Sequence, residues 1–260
     1  MVDAVYPASS GPIPAPIFAA SVALRKAANG VRFVTSGELR HATTEVDRIV
    51  AAVPAMLAPG LAGNAFYFVP LALPARRSED AAHTLIASVS TPELADEAIC
   101  HRNVPLAQST TEAAHQAVFI SAGLLQDKFA LAFEFFINVG HLFAASAGIP
   151  EAFATLAWSQ ALSDVRGETS QDASEARTEA LLHKPEVDEK ARTEFLEAAF
   201  ADALAIYQLA LAVDFDYSEL REREYPLLAP TALAERLRLM ARLFPPNDGY
   251  EFAIKYRRRA

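Results

Sequence analysis

The chain has 260 residues, 52% hydrophobic and 21% charged, enough apolar material for one large core or two small ones. A formal charge of −9 argues against a phosphate-binding surface, so nucleic acid is not an expected partner. The single cysteine, Cys100, excludes an intrachain disulfide and a multi-thiolate metal site.

No basic segment precedes an apolar run at the N-terminus, since the first Lys or Arg is Arg25. Prolines at positions 7, 12, 14 and 16 break any signal-peptide helix, and a cytoplasmic protein is expected. Residues 1 to 16 read as irregular surface chain. Ile17 to Ala28 reads as a helix stopped by Asn29-Gly30. Thr35 and Glu38 have capping-box spacing ahead of an amphipathic stretch to Pro54. From Pro59 to Pro74 the chain reads as extended or looped, a lid or an arm packed on a neighbour.

Helices are then expected almost without interruption. Ser78 to Ser88 is one, and Thr91-Pro92-Glu93 starts another, with Thr as N-cap and Pro at the first helical position. Ser109 and Glu112 form a second capping box, for a helix ending near Gly123. Leu124 to Ala147 is the apolar central helix. It is long enough to span a bilayer, but Glu134, Asn138 and His141 make a buried helix the better reading. Pro150 opens a helix that fades near Gly167, residues 166 to 194 read as a charged linker pair, and Glu194–Val213 and Pro230–Phe244 complete the set. The expected fold is all-α, a multi-helix bundle. Its irregular and helical N-terminal segment, 1–74, packs on a helical core, 75–260, as one domain overall.

Three constellations carry chemistry. Glu112-Ala-Ala-His115 has the i, i+3 spacing of the Glu-x-x-His ligand unit in di-iron bundles. Such a site needs two pairs and two further glutamates. Asp80-x-x-His83 is a poor second pair, and Glu112 already serves the capping box, so no metal or other cofactor is expected. The second is the seam Asp127, Glu134, Asn138 and His141, one face of the central helix. It reads either as a solvent stripe or as a pocket wall where Glu134 and His141 exchange protons with a ligand. The third is His115, which shares a helical face with Val118, Phe119 and Ala122 and reads as a core histidine or an acid–base group. There is no Gly-x-Ser-x-Gly elbow and no His-Glu-x-x-His zinc helix. Adjacent Cys100 and His101 point about 100° apart on a helix and do not face each other.

Ala113-Ala114-His115, then Ala122-Gly123-Leu124 and Asp127, within a run from Asp96 to Gly148, resemble the carboxymuconolactone decarboxylase and alkylhydroperoxidase-like superfamily. Gln108 and Thr111 stand where that family has its redox cysteines, so disulfide-based peroxide reduction is not expected. The resemblance implies acid–base chemistry of a decarboxylase or isomerase type on a small molecule. His115 would be the principal acid or base and Asp96 or Glu97 its relay, with Glu134 and His141 as the second wall. A homo-oligomer and a small-molecule ligand are the expected partners, with no membrane. The alternatives are a helical interaction protein using residues 60 to 74 for subunit contacts, and a di-iron oxidase with Glu112 and His115 as ligands.

Overall fold

A computed structural model describes residues 11–37, 43–72, 83–87, 95, 97–106, 116–182, 188–213 and 230–254. The chain forms two compact units, Met1–Ala51 with Leu61–Phe135, and Ala52–Gly60 with Phe136–Ala260.

The first unit is built on strands. In chain order it holds β1 (Ile13–Pro14), α1 (Ala15–Ser21), β2 (Arg25–Lys26), β3 (Arg32–Thr35), α2 (Thr43–Ala51) and β4 (Asn64–Val69). Then come β5 (Leu71–Ala72), β6 (Leu85–Ile86), β7 (Ala98–Arg102) and β8 (Gln116–Ser121). The larger sheet has the order β2-β3-β4-β8-β7, with β3, β4 and β8 parallel and the two outer strands antiparallel. A small sheet, β1-β6-β5, accompanies it. Every residue of β4 is buried, as expected of a central parallel strand covered on both faces. On one face Ala65, Tyr67 and Val69 join Ala117 and Phe119 of β8 and Ala15, Phe18 and Ala19 of α1. On the other, Phe66 and Phe68 meet Phe135, with ring centroids 4.9 and 5.5 Å apart.

Phe135 lies on α3 (Lys128–Ala147), which starts after a 3-10 turn over Ala122–Gln126 and is counted partly with each unit. Asp127 caps it, its Oδ1 accepting from Ala130 N–H at 3.0 Å. The second unit continues with α4 (Glu151–Leu162), α5 (Gln171–Leu181), α6 (Glu189–Ala212) and α7 (Pro230–Leu243). Helix α6 is the hub on which α4, α5 and α7 pack, and it is buried almost all round from Ala199 to Leu209. Gly140 of α3 lies so close to α6 that a Cβ there would stand 2.7 Å from the Ala201 Cα.

The all-α expectation is corrected. The chain is mixed α/β, and a helix bundle describes only the second unit. Residues 98–102 and 116–121, expected to be helical, are adjacent antiparallel strands. Capping-box spacing at Ser109 and Glu112 argued for a helix, but Gln116-Ala-Val-Phe-Ile-Ser121 is a short apolar run whose Val, Phe and Ile favour a strand. Part of the expected Ser78 to Ser88 helix, Leu85–Ile86, is strand β6. Thr35 is the last residue of β3 rather than a helix cap, and the first helix stops at Ser21 instead of reaching Ala28. The extended stretch around Phe66-Tyr67-Phe68 is as expected in conformation, but it is the centre of a core sheet and not an arm. Among the described residues α3 and α6 are long and apolar enough to cross a membrane, yet 50% and 78% of their most apolar windows are buried inside the fold.

Candidate functional site

His115, Asp96 and Glu112 lie outside the described residues, and so does Asp80. Glu97 is half-buried just before β7, where its carbonyl accepts from Ser121 N–H at 3.3 Å. The helices implied for this run are absent from 98–102 and 116–121. On β7, side chains alternate between faces. His101 is buried, with a 2.8 Å hydrogen bond between its Nε2 and Thr84 Oγ1, and its ring lies 6.2 Å from that of Phe119. Cys100 points the other way and is exposed, and desolvation pushes its thiol pKa up, so it is no activated thiolate. His83 is exposed ahead of β6. Among the described residues no group of three or more His, Cys, Asp or Glu is placed to hold a metal ion.

The seam on α3 divides by role. Asp127 is explained as the helix cap, while Glu134 and Asn138 are half-buried. Glu134 falls in the stretch of α3 counted with the first unit, and His141 in the stretch counted with the second. His141 is an exposed residue. Packing around it still desolvates the imidazole and lowers its pKa, against the raising pull of Asp172 on α5 and Glu197 on α6. Both carboxylates are exposed, so a histidine that stays neutral at neutral pH stands in the field of two acids at an open surface. No second histidine precedes it by one turn, because that position is Ile137.

A second polar centre is sealed inside the helical unit. Arg236 of α7 is 0% exposed and Glu168, in the α4–α5 connector, 2%. Arg236 Nη2 donates to Glu168 Oε1 at 2.9 Å, and its Nε donates to Gln160 Oε1 of α4 at 2.8 Å. Arg236 Nη1 has no hydrogen-bond partner among the described residues. The guanidinium needs the missing side chain at Gly167, since a Cβ there would lie 2.8 Å from its Cζ. Arg177 of α5 stands on the other side of Glu168, 3.9 Å from Nε to Oε2, and its Nη2 donates to Asp164 at 2.8 Å. Asp202 of α6, fully buried, accepts from Thr169 N–H at 2.6 Å and from the Thr169 hydroxyl. Its desolvation raises the carboxyl pKa to about 6, only partly opposed by those hydrogen bonds and by Arg236.

This inner centre is absent from the sequence reading. Asp202 had a signal, being the lone acid in the apolar stretch Ala198 to Ala212. Arg236 had none, because Arg238 and Arg242 share its amphipathic helix. With no solvent access, the centre fixes the connector between α4 and α5 and is no place for a substrate. His141 is the described candidate that combines a titratable group, acidic neighbours and access. Set against known proteins, the chain matches no protein family and no curated protein.

Proposed function

We propose that the protein binds and acts on a small organic molecule by acid–base chemistry without a redox thiol, with His141 as the proton-exchanging group. The observation that carries this is His141 itself, held neutral by partial burial yet open to solvent, with Asp172 and Glu197 within electrostatic reach. A neutral imidazole accepts a proton from a bound ligand, and the two carboxylates stabilise the imidazolium that results. Close packing of Gly140 on the α6 backbone fixes the stretch of α3 that presents the ring.

Ligand-observed NMR against small carboxylic acids and lactones tests the reading, run on the wild type and on His141→Gln. Binding by the wild type, lost in a variant of unchanged melting temperature, is the expected result. Any turnover found should fall by about 10²–10⁴-fold, the usual worth of a positioned acid or base. Equal binding and turnover in both proteins would remove His141 from the mechanism, and a panel without a single binder would remove the small-molecule reading.

A further inference from the structure

His141 and the sealed polar centre come together on helix α6. Gly140 of α3 stands against Ala201, where a Cβ would lie 2.7 Å from the Ala201 Cα. The next residue on each helix carries the chemistry, His141 on α3 and Asp202 on α6. Glu197 lies one turn before Ala201 and shares its face. Asp202 is fully buried and accepts from Thr169 N–H at 2.6 Å and from the Thr169 hydroxyl. Glu168, the residue before, accepts from Arg236 Nη2 at 2.9 Å. Two consecutive residues of the α4–α5 connector are therefore bonded to α6 and α7. Helix α5 starts directly from these anchors: Ser170 is its N-cap, accepting from Ala173 N–H at 3.3 Å, and Asp172 stands in its first turn. The remainder of α5 has little to fix its register, because its buried residues are Ala173, Arg177 and Ala180. Alanines form no deep ridge to lock into a neighbouring helix, and Arg177 itself reaches back to Glu168.

We propose that the connector anchors, Thr169 on Asp202 and Glu168 on Arg236, are positioning residues for His141: they set the first turn of α5 so that Asp172 stays within electrostatic reach of the imidazole. Asp172 of α5 and Glu197 of α6 are the two carboxylates that raise the proton affinity of His141 against its desolvation. Glu197 belongs to the hub helix itself, whereas Asp172 stands three residues beyond Thr169, so the anchors act through Asp172. This deepens the reading of His141 as the proton-exchanging group and rests on it. The sealed centre thereby gains a task at the open site. Loosening an anchor withdraws one acid from the imidazolium and leaves His141 a weaker base.

Proton NMR of the full-length, ligand-free protein tests this by following the His141 ring signal through its titration, the signal being identified by its loss in His141→Gln. Asp172→Asn should move the midpoint to lower pH. Thr169→Val keeps the shape of the side chain and deletes its hydroxyl, and it should move the midpoint the same way. Thr169→Ser, which keeps the hydroxyl, should leave it at the wild-type value. Added to Asp172→Asn, Thr169→Val should produce no further shift, because no carboxylate is left on that turn to withdraw. Should valine unfold the helical unit, Gly167→Ala is a second uncharged perturbation. Its Cβ would lie 2.8 Å from the Arg236 Cζ and would push the guanidinium off Glu168, with the same downward shift expected. An unmoved midpoint in a folded anchor variant, a serine that behaves as valine does, or equal shifts with and without Asp172 would each overturn the proposal. No ligand enters the measurement, so its failure is distinct from a small-molecule panel that yields no binder.

Discussion

In the sheet-based unit the buried polar side chains among the described residues include no carboxylate, lysine or arginine: Asn29 Nδ2 donates to Val50 O at 2.8 Å, and Thr84 meets His101. In the helical unit two arginines and two carboxylates are closed off together, Arg236 and Arg177 against Glu168 with Asp202 nearby on Thr169. The contrast follows from what each architecture leaves undetermined. A hydrogen-bonded ladder fixes the register of every strand through its own backbone, so the side chains need only fill space. Helices packed on apolar α6 have no such ladder between them, and alanine-rich faces allow several nearly equal placements. Charged groups that must meet or remain uncompensated select one placement, for α7, for Gln160 of α4 and for the connector before α5.

The largest expected effect breaks that inner pair. Arg236→Met should cost about 3–5 kcal/mol in urea unfolding, because Glu168 is left charged in the interior. Adding Glu168→Leu to the same chain should recover most of the loss. Equal losses in the single and double variants would mean that shape, not charge, sets the helical unit apart.

A smaller effect concerns pH. Burial holds the Asp202 carboxyl at about 6 against an ordinary 3.8, so between those values the folded protein binds a proton that the unfolded chain does not. Its stabilising contribution is therefore fully present below 3.8 and is lost as pH rises through 6. Relative to Asp202→Asn, the wild type should gain about 1 kcal/mol on going from pH 7 to pH 5. Parallel pH profiles for the two proteins would show that Asp202 carries no such linkage.

The smallest effect sharpens the sheet side of the comparison. The Tyr67 hydroxyl is buried without a hydrogen-bond partner among the described residues, and burial pushes its pKa up. Tyr67→Phe should be neutral or stabilising by up to about 1 kcal/mol in denaturant titration. A clear loss of stability would reveal a polar requirement in a core that otherwise reads as pure packing.

What the sequence made legible divides along the same line. Helices α4 and α7 fall close to where Pro150 and Pro230 place their starts, and the apolar helix at 128–147 lies inside the stretch expected for it. Periodicity and caps are local signals and survive in a bundle. Strand β4 was legible as extended or looped chain but not as a sheet centre, and β8 was hidden, because both are runs of six residues buried throughout or nearly so, without the alternation that marks a half-exposed strand. His141 was legible as a polar residue on an apolar helix, but its acidic neighbours Asp172 and Glu197 belong to other helices. The pairing of Arg236 with Glu168 spans 68 residues, and no local pattern announces it.

Asn247 reaches back across more than 190 residues. Its Nδ2 donates to Val53 O at 2.7 Å, and its Oδ1 accepts from Ala55 N–H at 2.8 Å, closing a loop of more than 190 residues. A ribosome delivers the loop around Val53 more than 190 residues ahead of its clamp, so those residues wait through all of that synthesis before they are anchored. They also sit between α2 and β4, elements of the other unit, while counting with the helices. Neither unit can be excised at a single peptide bond. Losing Asn247 would be felt first at a loop translated more than 190 residues earlier.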